Sequence, residues 1–357
     1  MNSSLRPAGS ADFASRLGML RLPLIVCVIF LHAYRPGGSG AVAGGWMHTL
    51  DLFVSDHLVM LARPLFFLIA GFFFFSGGEL TRAVLLRKWT SRVHTLLVPY
   101  VLWNLLILCL WAFAQWLPAT SGILPTAGKR VADFGAWDYA NALFGMTGYP
   151  IAYQLWFIRD LMLLMLMAPL LQLASKRVPN LVSLVLLLAW LTETWPLGIP
   201  AAEGVVFFYA GVRLALSPGA PERLDRFAPP FLFLYAGYLI AFAWLPARMS
   251  AHAWGMFGLV LGGAAVIFLT RALVRHARIR RSLACPAGLV FFLFAAHEPL
   301  LTIVKKGAYL YLGEAPEGVL MLARLGVTLL VAALCAAGYR IMGRLAPRLL
   351  RVLTGNR

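Results

Sequence analysis

The chain has 357 residues, of which 61% are hydrophobic and only 13% are charged. Because soluble domains carry charge on about a quarter of their residues, this composition excludes an ordinary soluble protein and predicts one that resides in lipid. The formal net charge of +17 does not indicate nucleic acid as a partner, since Lys and Arg lie mainly in short loops between apolar segments.

Ten apolar segments along the chain are long enough, or nearly so, to cross a bilayer, which takes about 20 residues. In chain order they cover 17–34, 52–76, 95–117, 151–173, 180–198, 202–216, 230–246, 252–271, 286–304 and 317–341. The sequence therefore predicts an all-α polytopic membrane protein with about ten transmembrane helices. We expect the first helix to be retained rather than cleaved as a signal peptide, because His32, Tyr34 and Arg35 make a long, charged approach to the small residues 41–43.

The distribution of basic residues predicts the orientation. An even number of spans places both termini on one side of the membrane. With the N-terminus in the cytoplasm, 21 of the 31 Lys and Arg residues lie inside or at the inner ends of spans, 6 lie outside and 4 lie deeper within spans. We therefore predict cytoplasmic termini, with residues 1–16 as a cytoplasmic segment before the first helix and 343–357 as a basic cytoplasmic tail.

Four arginines fall within the predicted spans away from their cytoplasmic ends, at an insertion cost of about 2.5 to 3.5 kcal/mol each if they lie deep. They are Arg21, Arg63, Arg159 and Arg324. Acidic and histidine side chains that could lie near them are Asp56, His57, Asp160, Glu203, His297 and Glu298. Most of these groups fall in the outer half of the predicted topology. Their convergence favours a polar chamber between the helices, and the alternative is simple pairing of charges at helix ends.

The first helix carries two polar residues on one face. Arg21 and His32 are eleven steps apart, which is about three turns and about 16 Å along a helix. This reach suits a long ligand whose anionic end is held at Arg21 and whose reactive end meets His32. Coenzyme A thioesters have that form, and a histidine that only packs within the bundle is the alternative.

The residues around these positions match a known family. The matching motifs are Arg21-x10-His32, 64–72 (PLFFLIAGF), 88–100 (KWTSRVHTLLVPY), 154–161 (QLWFIRDL) and 296–300 (AHEPL). In this order they resemble the membrane-bound acyltransferase-3 family, which O-acylates extracytoplasmic glycans in bacteria. The resemblance implies an acyltransferase-3-like transmembrane domain over about residues 17–342.

The resemblance implies roles for individual residues. It makes His32 the catalytic histidine, and we expect Glu298, Asp160 or Asp56 to orient the ring. We assign Arg21 to the acyl donor together with three residues of the predicted basic loop before the third helix, which are Arg87, Lys88 and Arg92. The expected substrate or oxyanion residues are Arg63, Arg159, Asp56 and His57. The four cysteines lie singly in or beside apolar segments, and we expect them to pack and expect no metal.

We therefore predict an O-acyltransferase of a bacterial inner membrane. It would move an acyl group, in the simplest case acetyl from cytoplasmic acetyl-CoA, to a hydroxyl of an extracytoplasmic or lipid-linked glycan. Its expected partners are membrane lipid, the glycan acceptor and polysaccharide-assembly proteins. Two rivals remain open, a multi-span transporter or glycan flippase without acyl transfer, and a non-catalytic subunit for polysaccharide export.

Overall fold

A computed structural model describes residues 8–34, 46–117, 129–244, 252–312 and 315–357. Every regular element in these ranges is helical, as the composition predicts. The α-helices are α1 (Ala8–His32), α2 (Trp46–Leu52), α3 (Ala62–Phe75), α4 (Arg82–Arg92), α5 (Val98–Trp116), α6 (Ala136–Phe144), α7 (Trp156–Leu166), α8 (Ala168–Arg177), α9 (Pro179–Leu191), α10 (Ala202–Leu216), α11 (Ala220–Trp244), α12 (His252–Val274), α13 (Ala277–Leu283), α14 (Ala287–Leu312), α15 (Glu317–Leu345) and α16 (Pro347–Leu353).

Six helices in the described part of the chain are long and apolar enough to cross a membrane, and the number is eight if two bent helix pairs each count as one span. One bent pair joins α7 to α8 at 58°, and the other lies within α11 at 51°. The remaining two predicted segments form α9, with 13 residues, and α10, with 15 residues. Both are shorter than the usual transmembrane helix of about 17 to 25 residues. The protein is therefore a multi-span membrane protein, and ten spans with cytoplasmic termini stay a prediction.

The predicted basic loop before the third span is helical. α4 continues into α5 through a single π-helical turn, Val93–Leu97, and the combined apolar helix runs from Arg82 to Trp116. The Thr81 hydroxyl caps α4 by accepting from the Val84 N–H at 3.4 Å. No glycine or proline interrupts residues 82–98, so Arg87, Lys88 and Arg92 lie on a helix instead of a loop.

Not every proline in the predicted spans interrupts its helix. α1 continues through Pro23 and α14 through Pro299. Pro169 lies in the first turn of α8, at the 58° bend after α7. The second predicted span is also irregular, because a π-helical segment (Phe53–Leu58) and a short 3-10 turn precede α3. Such π-helical segments are rare and often occur at functional sites.

The helices pack closely around α1 and α3. In α1 the side chains of Ile25 and Val28 are buried between Arg21 and His32, so the predicted stripe faces the protein interior. α3 and α10 touch backbone to backbone: a Cβ at Gly71 would lie 2.2 Å from the Phe208 carbonyl oxygen, and one at Gly211 would lie 2.1 Å from that of Leu68. Small residues permit this close approach of membrane helices.

Both ends of the described chain are built into the bundle. The predicted segment 1–16 overlaps α1, where Arg16 is buried and holds Asp225 through two hydrogen bonds of 2.6 and 2.8 Å. The predicted tail 343–357 completes α15 and forms α16, and the Trp103 indole N–H donates to the Leu353 carbonyl at 3.1 Å. Residues after α15 therefore pack against α5.

Candidate active site

His32 is the last residue of α1 and is held by a hydrogen-bonded relay from two other elements. The Tyr153 hydroxyl lies 3.2 Å from His32 Nδ1, and it also contacts Glu298 Oε1. Glu298 is buried on α14, where its Oε2 accepts from the Thr302 hydroxyl at 2.9 Å. Tyr153 is 37% exposed, so the relay opens to the protein surface and a substrate can reach it.

The direction of these hydrogen bonds fixes the tautomer of His32. A tyrosine hydroxyl has one proton, and the carboxylate of Glu298 can only accept. Tyr153 therefore donates to Glu298 and accepts from His32 Nδ1–H. The second ring nitrogen, Nε2, then carries a lone pair and can act as a base.

A second histidine stacks beside the first. The ring centroids of His32 and His297 are 5.7 Å apart, with an interplanar angle of 27°. His297 is fully buried, and its Nδ1 lies 3.1 Å from the Leu293 carbonyl and 2.8 Å from that of Phe294. Nδ1–H therefore donates to the α14 backbone. The Nε2 of His297 is a buried acceptor that has no hydrogen-bond partner among the described residues.

Two cations lie on the helices that pack against α1. Lys305 Nζ on α14 donates to the His32 carbonyl at 3.0 Å and lies 4.8 Å from the Tyr34 ring centroid. Arg63 is the second cation, at the start of α3. Arg63 Nη2 pairs with Glu203 at 2.9 Å, whereas its buried Nε has no partner in the described part of the chain. A negative charge that develops beside His32 would be stabilised by both side chains.

A cavity of about 350 Å³ is lined by three arginines and a mainly apolar wall. We call it the arginine cavity. Its arginines are Arg21, Arg92 and Arg357, and no ion pair between described residues includes any of them. Arg92 Nε is buried without a hydrogen-bond partner there. Three arginines without carboxylate partners give this cavity the charge that a polyanion would require.

The other two basic residues expected at the donor lie elsewhere on α4. Arg87 is exposed, and Lys88 contacts the Phe74 carbonyl with its ammonium 5.0 Å from the Phe74 ring centroid. Lys88 therefore joins α4 to the end of α3. Of the three residues predicted from α4, the structure brings only Arg92 to the cavity that contains Arg21.

The arginine cavity ends on aromatic side chains. Its wall includes Phe157 and Phe294, whose ring centroids are 5.9 Å apart. Phe294 in turn lies 6.3 Å from His297. Phe294 therefore contacts both the wall of the cavity and one of the two stacked histidines.

A second, more polar cavity of about 570 Å³ contains several of the predicted charged residues. We call it the carboxylate cavity, and its charged lining residues are Arg63, Arg159, Asp160 and Glu203. Asp160 is fully buried, accepts from Arg159 at 2.9 and 3.0 Å, and accepts from the Ala201 N–H at 2.8 Å. Its Oδ2 joins α7 to the start of α10, its Oδ1 pairs with the adjacent Arg159 on α7, and neither oxygen contacts His32.

A third, apolar cavity of about 740 Å³ lies between the other two. It shares Arg92 and Met165 with the arginine cavity, and Met146, Arg159 and Ile199 with the carboxylate cavity. The third cavity therefore adjoins each of the other two, and residues of α7 line all three.

Asp56 and His57 belong to a different polar cluster. His57 is buried, its Nδ1 lies 2.8 Å from the Tyr238 hydroxyl, and its ring centroid lies 3.9 Å from that of Phe242. Nearby, Arg324 pairs with Asp51, and its Nη1 lies 3.0 Å from the Ser55 hydroxyl. The predicted polar residues thus divide into three groups, and Asp56 and His57 line none of the three cavities.

Sequence reasoning did not assign Tyr153, His297, Lys305 or Arg357 to the site. Tyr153 adjoins the QLWFIRDL motif and His297 lies within AHEPL, so their motifs contain a usable signal. Among the residues that the structure describes, no group of three or more His, Cys, Asp or Glu side chains could hold a metal ion.

The chain is similar in sequence to known proteins. A family model described as an acyltransferase domain matches residues 15–340. The chain is 28% identical over 356 residues to the succinoglycan biosynthesis protein ExoH of Rhizobium meliloti (strain 1021), which covers 97% of this chain and 93% of that protein. No solved structure matches the chain.

Proposed function

Because the chain belongs to the acyltransferase-3 family, we propose that it moves an acyl group from a cytoplasmic acyl-CoA to a hydroxyl of an extracytoplasmic or lipid-linked glycan. Transfer of acyl groups follows from the family. We propose in addition that the donor is an acyl-CoA, that it binds from the cytoplasmic side and that the protein lies in a bacterial inner membrane. Acetyl is the simplest acyl group.

The arrangement of α1 carries this proposal. One end of the buried stripe places Arg21 in a cavity with two further arginines and no carboxylate partner in the described chain. The other end places His32 in a relay that leaves Nε2 free. A ligand that uses both ends must combine phosphates with a reactive group roughly 16 Å away. An acyl-CoA has this form and supplies the activated acyl carbon.

His32 performs the proton transfers. Its Nε2 takes the proton from an acceptor hydroxyl as that oxygen attacks the thioester carbonyl. The carbon–sulfur bond then breaks, and His32 gives the proton to the departing sulfur, so that the products are the ester and the free thiol. A base positioned in this way contributes about 10²- to 10⁴-fold in rate. Transient acylation of His32 gives the same products in two steps.

Lys305 and Arg63 support the same step electrostatically. Lys305 contacts the His32 carbonyl, and the Nε of Arg63 has no hydrogen-bond partner among the described residues. As the hydroxyl attacks, negative charge develops on the carbonyl oxygen beside His32. Preorganised cations at this point lower the barrier without reorganising during the reaction.

The carboxylate cavity suits the acceptor. It combines Trp156 and the exposed Tyr149, whose rings can stack on a sugar, with Glu203, whose buried Oε1 has no partner among the described residues. Arg63 lines this cavity and lies on α3, which packs against the helix that carries His32. The name of ExoH, a succinoglycan biosynthesis protein, supports a polysaccharide as acceptor class.

Transfer of label from an acyl-CoA tests the proposal. The purified chain in liposomes receives acyl-CoA labelled in the acyl group on one side and oligosaccharide acceptors on the other. Labelled glycan is the expected product, and hydroxylamine should release the label because it is held as an ester. A flippase or transporter would move glycan or donor across the bilayer without labelling any glycan, and that result would overturn the proposal.

A further inference from the structure

We propose that the segment after α16, residues 354–357, completes the donor site and that Arg357 is a third phosphate-binding residue beside Arg21 and Arg92. This inference rests on the proposed function and extends it to a part of the chain that contains none of the matching motifs. It assigns to the segment 354–357 a role in binding the nucleotide end of the donor.

The segment packs between the α4–α5 junction and α14. Arg357 Nη2 donates to the Thr95 carbonyl at 2.8 Å, in the π-helical turn between α4 and α5. Its guanidinium lies 4.3 Å from the ring centroid of Phe291 on α14. Both neighbours hold the guanidinium at the arginine cavity, which Arg357 lines together with Phe291.

Two glycines allow the segment to pack in this position. Gly355 has a φ of +69°, and a Cβ there would lie 2.4 Å from the Thr95 carbonyl oxygen. On the facing helix, a Cβ at Gly288 would lie 2.8 Å from the Arg357 carbonyl oxygen. Larger side chains at either position would displace the segment, because backbone atoms lie on the opposite side.

The positive charge of Arg357 is not neutralised by an ion pair within the described chain. It stands in a cavity with two like charges, and no carboxylate in the described chain pairs with it. Burial, and then the charges of Arg92 and Arg21, lower the pKa of Arg357 to about 10, so it remains protonated at neutral pH. The residue as a whole is still partly exposed, so a soluble ligand can reach it. Phosphates bound by all three arginines would relieve this repulsion.

Binding of unreactive coenzyme A tests the inference without relying on turnover. The full chain is purified in a neutral detergent without anionic lipid, and its affinity for coenzyme A is measured by calorimetry. Arg357→Gln should weaken binding by about ten- to hundredfold, as expected for the loss of a charge-assisted hydrogen bond. Arg357→Lys, which keeps the charge, should bind more tightly than Arg357→Gln. The matched control is Arg351→Gln, which removes an exposed charge from α16.

Two further arms separate phosphate binding from a structural effect. Affinity for an acyl-pantetheine, which lacks the nucleotide phosphates, should be the same in wild type and Arg357→Gln. Gly355→Val keeps Arg357 but displaces the segment, and it should cause the same selective loss. This second variant also decides the question if Arg357→Gln does not fold.

The failures of the two proposals are distinguishable. If the wild type does not bind coenzyme A, the donor proposal itself fails. If it binds coenzyme A and Arg357→Gln binds equally well, or loses coenzyme A and acyl-pantetheine in parallel, only the role of Arg357 is overturned. Unchanged coenzyme A affinity in Arg357→Gln would leave an anionic lipid headgroup as the ligand of Arg357 and so overturn the inference.

Discussion

His32 has one ring nitrogen engaged with Tyr153 and one available for a substrate. This asymmetry depends on Glu298, because its carboxylate takes the tyrosine proton and leaves the hydroxyl oxygen to accept from Nδ1–H. Without that hydroxyl, the imidazole could rotate or carry its proton on Nε2, where it could not act as a base. We therefore expect the relay to have a role in catalysis that differs from packing.

Tyr153→Phe tests this role. The variant keeps the ring that packs edge to face against His32 but loses both hydrogen bonds. We expect the turnover number to fall about ten- to hundredfold, within the range that a positioned base contributes, with little change in KM for the donor. Steady-state kinetics on the purified variant give both values.

Tyr139→Phe is the matched control, because it removes a hydroxyl that bonds the Val131 carbonyl outside the site. Equal turnover in Tyr153→Phe and the wild type would show that the relay does not orient His32.

Sequence predicted part of this site. Its motifs pointed to His32 and Glu298, and the structure brings these two residues together through Tyr153. The Tyr153 contact could not be predicted, because it joins residues 121 positions apart and depends on a short 3-10 turn, Tyr153–Leu155. Asp160 shows the reverse case. A carboxylate beside an arginine in an apolar span indicates function and structural pairing equally well. Here one oxygen pairs with Arg159 on the same helix and the other accepts from the Ala201 N–H at the start of α10.

At the scale of elements, the contact between α3 and α10 organises the middle of the bundle. The two backbones meet at Gly71 and Gly211, where no side chain fits between them. α3 also carries Arg63 at its start, and α10 carries Glu203 in its first turn. The close packing of these helices therefore sets the geometry of the Arg63–Glu203 pair in the carboxylate cavity.

Gly211→Leu should separate these helices. Overpacking of a tight contact costs about 1 to 3 kcal/mol, and the cost is at the upper end when the obstacle is backbone. We expect a lower melting temperature in detergent together with reduced transfer activity, since the Arg63–Glu203 pair would move. Differential scanning fluorimetry measures the first effect.

Gly237→Leu provides the control, because nothing lies within 4 Å of a Cβ at that position. If Gly211→Leu melted at the same temperature as Gly237→Leu, the contact would not be a determinant of stability.

Hydropathy located most helices but not their limits. It placed α10 at the correct residues and predicted helix for α1, α14 and α15, where apolar runs are long. It missed that α4 extends the third span, because its basic residues suggested a loop although their helix propensity is high. It also could not show that α9 has only 13 residues, since apolar character continues into the loop that follows.

At the scale of the whole molecule, three adjoining cavities lie beside α7, and arginines line each of them. The sequence predicted one polar chamber, and the structure instead divides the predicted charged residues into separate groups. Separation is useful for an acyl transfer across a membrane, because the two substrates can approach from different sides. Hydropathy alone does not reveal such cavities, because they depend on how helices pack.

Ala70→Phe should block the donor cavity. Ala70 lines the arginine cavity, and an added ring would occupy space that the donor needs without introducing charge. We expect coenzyme A affinity to fall at least tenfold while the melting temperature changes little, because the cavity accommodates an apolar ring. Calorimetry and fluorimetry on the same sample give both results.

Ala333→Phe is the corresponding control, since it adds the same ring to an exposed position on α15. Undiminished coenzyme A binding by Ala70→Phe would place the donor outside the arginine cavity.

The central claim is that His32 is the base for transfer of an acyl group from coenzyme A to a glycan hydroxyl. The most direct measurement is the single-turnover rate of acyl transfer by His32→Ala in liposomes, with coenzyme A affinity measured on the same preparation. The account predicts a rate at least about 100-fold below that of the wild type, with coenzyme A affinity retained. A rate close to that of the wild type would contradict it.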